Sequence, residues 1–248
     1  MPKTRAVFVE ALSNPLLRLV DVEALAARLA GRGVELIVDS TFASPAVLRP
    51  LALGASIALH SATKFISGHG DVTAGVVVGR RAVVERVRAA TIRVGTNLSP
   101  FDCWLAARGL RTLHVRLERQ CANAFALARF LEGRPEVQRV YYPGLPSHPQ
   151  RSLAARLFQT GAGAMLSFDL RGGAAAVEGV MKRLRLIEFA PSLGDVATTW
   201  TYPARTSHRG ISDAAKAEIG IGPGLVRLSV GIEAVEDLID DLTGAIEN

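Results

Sequence analysis

The first eighty residues alternate short apolar runs with amphipathic segments. The apolar runs are AVFVEA at 6–11, VELIVD at 34–39, SIALHSA at 56–62 and AGVVVG at 74–79. Near-continuous apolar runs of this length are typical of strands that are buried on both faces. A helix predicted over 21–33, with Asp21 as its N-cap, separates the first two. The pattern therefore predicts an α/β fold with a mostly parallel sheet, in which functional residues lie at the carboxyl ends of the strands.

The second half of the chain has a different pattern. From about Ser99 it becomes strongly helical, and Gly133 and Pro135 mark the end of that region. Two apolar runs, GAMLSFDL and LVRLSVG, then predict strands, and a final helix has one apolar stripe. The stripe consists of Val235, Leu238, Ile239, Leu242 and Ile246. We predict part of a large domain over 1–114 and a smaller C-terminal α/β domain over 115–248.

Composition narrows the class of protein. With 248 residues, of which 49% are hydrophobic and 21% charged, the chain can bury a large core. No apolar run approaches the roughly 20 residues that span a bilayer, and the start has no signal-peptide pattern, so we expect a cytoplasmic protein without a membrane partner. The net charge is +6, but acidic residues are interleaved with the arginines. Solvated helix faces explain this better than a nucleic-acid partner.

Lys64 is unusual in a chain that carries most of its positive charge as arginine. It lies in HSATKFISGHGD at 60–71 and is one of four lysines, with Lys3, Lys182 and Lys216. A lysine condenses with an aldehyde to form a Schiff base, which arginine cannot do because it stays protonated. Pyridoxal phosphate is such an aldehyde, and it also requires a carboxylate, phosphate donors and small residues for close approach. Residues of these kinds nearby are Asp39, Ser61, Thr63, Gly68 and Gly70.

Each of these residues has a simpler interpretation on its own. A single lysine is usually a surface residue, and Asp39, Ser61 and Thr63 could be turn or cap residues. The combination is what favours a cofactor site. His60, His69 and Asp71 match no strong metal-binding spacing, and neither do Cys103 and Cys121, which we expect to be buried or indifferent thiols. We predict no metal.

Longer motifs resemble a known family. They are NP at 14–15, VDSTFASP at 38–45, GASIALHSATKFISGHGD at 54–71, SLGD at 192–195, YPARTSH at 202–208 and GLVRLSVGIEAVEDLIDDL at 224–242. Together they resemble the Cys/Met metabolism family of pyridoxal-phosphate enzymes, which includes cystathionine γ-synthase, cystathionine γ-lyase, methionine γ-lyase and the O-acylhomoserine sulfhydrylases. The resemblance runs along the whole chain and implies a fold-type-I, transferase-like α/β fold.

The resemblance also implies a role for particular residues. Lys64 would hold the cofactor and move protons, Asp39 would pair with the pyridine nitrogen, and Thr41 would lie against the ring. Ser61 and Thr63 would bind the phosphate. Arg227, with Ser192 and Asn14, would bind the substrate carboxylate through the planar fork of its guanidinium. Without the resemblance, Arg227 would be read as an exposed strand residue between Val226 and Leu228.

The implied activity is trans-sulfuration, which means γ-elimination or γ-replacement on a homoserine-derived or sulfur amino acid by a homo-oligomeric enzyme. Pro191 stands where cystathionine-handling members commonly have Glu, which favours sulfhydrylase-like or methionine γ-lyase-like chemistry slightly. Family members are usually longer, so we expect the N-terminal part of the family's chain, with its phosphate-binding loop and ring-stacking tyrosine, to be missing. The alternatives are an inactive fragment or interaction module with the family fold and, last, a nucleic-acid-binding protein.

Overall fold

The first sheet carries the residues that the sequence predicts for the cofactor. The computed structural model of the protein describes residues 3–247. The sheet has the strand order β1-β2-β3-β4. Its strands are β1 Ala6–Glu10, β2 Glu35–Asp39, β3 Ile57–Ser61 and β4 Gly75–Gly79. The first three strands run parallel and β4 pairs antiparallel with β3. The prediction of a mostly parallel sheet is therefore confirmed, with one antiparallel strand at its edge.

The helices of the first half follow the predicted order but not all the predicted bounds. They are α1 Val22–Leu29, α2 Ser44–Val47, α3 Arg81–Val94, α4 Pro100–Leu110 and α5 Leu113–Glu132. Asp21 caps α1 as predicted, since its side chain accepts a hydrogen bond from the amide of Ala24. The predicted end of α1 at residue 33 is wrong, because the backbone of Ala30, with φ −54° and ψ 133°, has already left the helical conformation.

The predicted helical region after Ser99 is divided into α4 and α5. The division falls at Arg111 and Thr112, where the Gly109 carbonyl accepts hydrogen bonds from the side chains of Thr112, at 3.2 Å, and Arg116, at 2.9 Å. The Thr112 amide, only three residues further on, donates to the same carbonyl at 3.2 Å. The helix is therefore interrupted where a tighter backbone bond and two side-chain bonds occupy one carbonyl.

The second sheet is mainly antiparallel and has the order β5-β6-β9-β8-β7. Its strands are β5 Val137–Tyr141, β6 Met165–Leu170, β7 Glu188–Phe189, β8 Thr199–Thr201 and β9 Leu225–Ser229. The helices of this half are α6 Arg151–Leu157, α7 Gly173–Arg183, α8 Asp213–Ile219 and α9 Val235–Ile246. Short 3-10 turns cover Pro50–Leu53 and Pro203–Arg205.

Helix α5 connects the two halves of the molecule. Its N-terminal half contributes Leu113 and Leu117 to the apolar core beside the first sheet. Its C-terminal half contributes Leu127 and Leu131 to the core beside the second sheet. The predicted domain boundary between residues 114 and 115 falls within the first turn of this helix, and it stays a prediction.

Candidate active site

The carboxyl ends of β2 and β3 lie side by side and are joined by polar contacts. Asp39 ends β2, and its Oδ1 accepts a hydrogen bond of 2.9 Å from the amide of Thr41. The Thr41 hydroxyl in turn accepts a hydrogen bond of 2.9 Å from the amide of Ser61, which ends β3. An aspartate that binds the amide two residues further on is a common turn device. Here it also holds the Asp39 carboxylate at the edge of the sheet.

Lys64 lies in the turn that follows β3. Its amide donates to the Ser61 carbonyl at 3.1 Å, and its half-buried side chain reaches Ser192, with 3.1 Å between Nζ and the hydroxyl oxygen. Burial lowers the pKa of the Lys64 ammonium, and the nearby positive charge of Arg227 lowers it further. A depressed pKa increases the fraction of neutral amine near neutral pH, which is the form that attacks a carbonyl.

The two hydroxyls predicted to bind a phosphate have different surroundings. The Thr63 hydroxyl accepts a hydrogen bond of 2.9 Å from the amide of Ala74 and donates one of 3.3 Å to the carbonyl of the same residue. Thr63 therefore already joins the lysine turn to the start of β4. The Ser61 hydroxyl has no hydrogen bond to another described residue, so of the pair it is the more available to a ligand.

Arg227 is buried, which excludes the exposed position that the strand pattern alone would suggest. It lies on β9 and is 3% exposed. One guanidinium nitrogen donates to the Asn14 side-chain oxygen at 2.8 Å, and another lies 3.4 Å from both the Ser192 carbonyl and the Thr201 hydroxyl. Burial lowers the pKa of Arg227 to about 10. The structure thus brings Arg227, Asn14 and Ser192 together, as predicted for a carboxylate site.

Ser192 joins the lysine to the arginine. Its hydroxyl contacts Lys64 and its carbonyl contacts Arg227. Both positive groups therefore face one small region between the two sheets, and the Nε atom of Arg227 has no partner among the described residues. A buried donor without a partner is costly unless a ligand or water satisfies it. This region is suited to an anionic ligand that also carries a group able to react with an amine.

Close packing of backbone on backbone brings the Ser192 segment to the lysine. Gly194 has a φ of +82°, and a Cβ atom at this position would lie 2.5 Å from the amide nitrogen of Phe65 and 3.0 Å from the Cα of Lys64. Only glycine permits both that conformation and that approach. The Gly194 amide also donates to the Ser229 hydroxyl at 2.7 Å, which ties the segment to the end of β9.

These residues fit pyridoxal phosphate in part. The arrangement supplies an amine of lowered pKa, a carboxylate at the sheet edge and an unpartnered buried donor on Arg227. The phosphate site is less complete, because the Thr63 hydroxyl is already used by Ala74 and a helix N-terminus or a group of amides normally supplies most phosphate contacts. The parts of the site that would bind the cofactor aldehyde and a substrate carboxylate are therefore better formed than the part that would bind the phosphate.

The structure adds neighbours that the sequence did not indicate. The guanidinium of Arg227 lies 5.6 Å from the centre of the Phe42 ring, and Thr201 is its partner in the β8–β9 pairing. Phe42 directly follows Thr41 in the VDSTFASP motif, so a close reading of that motif could have found it. Thr201 could be found only from the strand register, which requires the fold.

The remaining candidates lie outside this cluster. His60 is 6% exposed, with no partner for its Nδ1 atom among the described residues, and burial lowers its pKa. Cys121 is buried and Cys103 is exposed, and both are free thiols.

Within residues 3–247, no group of three or more His, Cys, Asp or Glu side chains is arranged to hold a metal ion. In the same range, no helix combines the length and the apolar composition needed to cross a bilayer.

Fold and site together define an α/β protein with a partly buried lysine at the end of a parallel sheet and a buried arginine nearby. The chain belongs to the family of Cys/Met metabolism PLP-dependent enzymes, whose sequence pattern matches residues 1–247. The family resemblance inferred from the motifs is therefore confirmed, and pyridoxal phosphate is the cofactor of this family.

Characterised relatives and solved structures are similar along almost the whole chain. The O-succinylhomoserine sulfhydrylase of Pseudomonas aeruginosa is 45% identical over 241 residues, which are 97% of this chain and 60% of that protein. The L-methionine gamma-lyase of Pseudomonas putida is 42% identical over 248 residues, 99% of this chain and 62% of that protein. The crystal structure of a cystathionine gamma-lyase from Micromonospora echinospora has a TM-score of 0.96 and 43% identity, and covers 100% of this chain and 65% of its own.

A further structure is a cystathionine gamma-synthase from Xanthomonas oryzae pv. oryzae in complex with aminoacrylate and cysteine. It has a TM-score of 0.94 and 43% identity, and the match covers 98% of this chain and 63% of that one. The predicted fold-type-I α/β fold is confirmed by these similarities. The chain spans about 60% of the length of the curated relatives it matches, such as the two Pseudomonas proteins.

Proposed function

We propose that the chain acts with pyridoxal phosphate on a homoserine-derived or sulfur amino acid, eliminating or replacing the substituent on the γ-carbon. The meeting of Lys64 and Arg227 at Ser192 is the observation that carries the proposal. An amine able to bind a carbonyl and a guanidinium able to bind a carboxylate are the two groups that an amino-acid-transforming enzyme of this family requires. The names of the similar proteins support this substrate class.

The proposed roles follow from where each side chain lies. Lys64 would hold the cofactor through Nζ, and as a free amine it would move protons at Cα and Cβ of the substrate. Asp39 would pair with the pyridine nitrogen of the cofactor, and Thr41, whose amide donates a hydrogen bond to the Asp39 carboxylate, would help to hold the ring. When bound, the cofactor draws electrons away from the substrate Cα. Transfer of the Cβ proton to the Lys64 amine would then allow the γ-substituent to leave with the electron pair of its bond to Cγ.

The substrate carboxylate is held by Arg227, supported by Asn14 and Ser192. Asn14 accepts a hydrogen bond from one guanidinium nitrogen and so fixes the plane of the guanidinium. The unpartnered Nε atom is a donor still free to bind a carboxylate oxygen. Ser61 and Thr63 bind the phosphate, with Thr63 acting in addition to its bonds with Ala74.

The test is a titration of the purified chain with pyridoxal phosphate, followed by borohydride reduction and peptide mapping. We expect a new absorbance band and a reduced cofactor adduct on Lys64, because the neutral amine fraction is larger there than on an exposed lysine. The Lys64→Ala variant should lose both signals, and the Lys182→Ala variant should keep them. Adducts spread evenly over Lys3, Lys182 and Lys216, or an unchanged band in Lys64→Ala, would refute the proposal.

A second candidate function is that of an interaction module that keeps the family fold without catalysis. It is favoured by two exposed aromatic side chains on α4, Phe101 and Trp104, whose ring centres are 6.0 Å apart. Turnover of L-methionine, cystathionine or O-succinylhomoserine by the 248-residue chain would exclude this candidate. The cytoplasmic location and the homo-oligomeric state both stay predictions.

A further inference from the structure

We propose that two buried side chains on one face of α5, Arg116 and Gln120, are positioning residues that fix Lys64 relative to Ser192. The inference rests on the proposed function, because it concerns the same site. Neither side chain belongs to the lysine turn or to the Ser192 segment. They act through the backbone of the two segments that carry these residues.

Arg116 binds the turn that carries Lys64. It is 6% exposed, and its guanidinium donates to the Phe65 carbonyl at 2.9 Å and to the Ile66 carbonyl at 3.1 Å. The same guanidinium binds the Gly109 carbonyl at 2.9 Å and the Thr112 hydroxyl at 3.1 Å. The two residues directly after Lys64 are thus held by a planar group that offers donors in fixed directions.

Burying an arginine in this place is energetically unfavourable unless its donors are used. Desolvation lowers the pKa of Arg116, and the negative charge of Asp195 opposes that change. The turn is also shaped around the guanidinium, because a Cβ atom on Gly68 would lie 2.0 Å from an Arg116 nitrogen. A side chain at position 68 would therefore displace either the guanidinium or the turn.

Gln120 binds the other segment. It lies one helical turn after Arg116, which places both side chains on the same face of α5. Its amide nitrogen donates to the Asp195 carbonyl at 2.8 Å and to the Val230 carbonyl at 2.9 Å. Asp195 belongs to the segment that begins with Ser192, and Val230 follows β9, which carries Arg227. One amide group thus connects α5 to the carboxylate side of the site.

The partners of Gln120 favour a positioning role over a purely stabilising one. The Gln120 side chain is fully buried, but its carbonyl oxygen has no hydrogen-bond partner among the described residues. A buried acceptor left unpaired is energetically costly, which offsets much of what the two amide hydrogen bonds contribute. A leucine of similar size would avoid that cost, but it would leave the Ser192 segment without its bond to α5.

The two segments also contact each other directly. The Val196 amide donates to the Gly68 carbonyl at 3.0 Å, and Gly194 packs on the backbone of Lys64. The contact of 3.1 Å between Lys64 Nζ and the Ser192 hydroxyl therefore depends on a unit with three parts: the lysine turn, the Ser192 segment and α5. If α5 releases either segment, Lys64 moves away from Arg227 and gains contact with water.

The test measures the pKa of Lys64 by competitive labelling of the cofactor-free chain with trace acetic anhydride over a range of pH, with each lysine followed by mass spectrometry. Cofactor is absent, so the result does not depend on whether the chain binds it or turns over substrate. The variants are Arg116→Lys, Arg116→Met and Gln120→Leu. The controls are Arg129→Met, an exposed arginine on the same helix, and Leu127→Ala, a buried residue of the second core.

We expect Arg116→Lys and Gln120→Leu to raise the pKa of Lys64 toward that of an exposed lysine, so that labelling of Lys64 relative to Lys3 falls at a fixed pH below that pKa. The rise follows because both causes of the lowered value, burial and the charge of Arg227, weaken when the turn is released. Leu127→Ala should unfold at lower urea concentration without changing the pKa of Lys64, and Arg129→Met should change neither quantity. The lysine in Arg116→Lys keeps the charge but cannot reach three carbonyls in fixed directions.

The proposal is overturned if Lys64 labels identically in the wild type, Arg116→Lys and Gln120→Leu, or if Leu127→Ala shifts its pKa equally. Should Arg116→Met fail to fold, the other two variants decide. Failure of all three to fold would show that these side chains are structural rather than positioning residues. If the wild type forms no cofactor adduct but the labelling shifts occur, the proposed function fails while this inference stands.

Discussion

Arg227 shows how one residue determines what the site can bind. It is buried on a central strand of the second sheet, near the aromatic face of Phe42 and the side chain of Asn14. A buried guanidinium without a carboxylate partner is energetically unfavourable, and a bound substrate carboxylate would supply that partner. The strand pattern alone predicted exposure. The role of Arg227 was predicted only by the motif around it. The alternation of apolar and polar residues along one strand does not show what covers each face of that strand.

Replacing Arg227 by lysine tests that role. Lysine keeps a positive charge but offers no planar fork, so the paired contact with a carboxylate is lost. A hydrogen bond to a charged group contributes about 1.5–3 kcal/mol, so we expect the KM for L-methionine to rise roughly tenfold to a hundredfold, with a smaller effect on kcat. Steady-state kinetics measures both quantities.

The matched control for this substitution is Arg205→Lys. Arg205 is exposed and pairs with Glu178 outside the site, so its replacement should leave KM unchanged. A KM in Arg227→Lys equal to that of the wild type would contradict the assignment of the carboxylate site to Arg227.

The remaining site residues could be predicted to different degrees. Lys64 and Asp39 were identifiable because their chemical types are rare or specific at strand ends. The bonds of the Thr63 hydroxyl to Ala74 could not be predicted, because they depend on β4 returning antiparallel beside β3. The role of Arg116 could not be predicted either, since its bonds to the lysine turn go to the backbone carbonyls of Phe65 and Ile66, which leave no side-chain pattern in the sequence.

At the scale of elements, hydrophobic periodicity predicted α9 well. The predicted stripe is the buried face, with Leu238 and Leu242 fully covered and Val235 and Ile239 partly covered. The apolar face of α1 lies less deep, because of Val22, Leu25, Ala26 and Leu29 only Val22 is fully buried. Periodicity shows which face is apolar, but the depth of burial depends on what packs against that face.

Because the apolar side chains of α9 are buried to different depths, we expect their replacement by alanine to lower the free energy of unfolding by different amounts. Leu238→Ala removes a fully buried side chain and leaves a cavity, so we expect the free energy of unfolding to fall by about 2–5 kcal/mol. Ile239→Ala, on the partly buried flank of the same helix, should cost less. Urea unfolding monitored by circular dichroism measures both, with Glu236→Ala at an exposed position as the control. Equal losses for the two apolar variants would show that the helix packs differently.

At the scale of the whole molecule, α5 fixes the position of the two sheets relative to each other. The helix contributes apolar side chains to both cores, and its polar face binds segments on both sides of the site. The site is formed where the two halves meet, so neither sheet alone places Lys64 beside Arg227. Sequence motifs could identify residues on each half, but not the helix that sets the distance between them.

The molecule also has exposed apolar side chains near α3 and α4 that other parts of the described chain do not cover. Helix α3 has no buried residue, and large apolar side chains near α3 and α4 are strongly exposed. They are Ile92, Val94, Phe101, Trp104, Leu110 and Val115, each more than half exposed. Two of them, Phe101 and Trp104, stack with their ring centres 6.0 Å apart, and an exposed apolar patch is typical of protein interfaces. We expect a second copy of the chain to cover it.

The corresponding prediction is that the chain self-associates through this surface. Sedimentation velocity should show species larger than a monomer that increase with concentration, and the double variant Phe101→Glu, Trp104→Glu should shift them toward the monomer, since a buried unpaired carboxylate opposes association. Leu186→Glu, at an exposed apolar position in the other half of the chain, should leave the distribution unchanged. A monomeric wild type at all concentrations would contradict the prediction. An equal shift in Leu186→Glu would place the contact elsewhere on the surface.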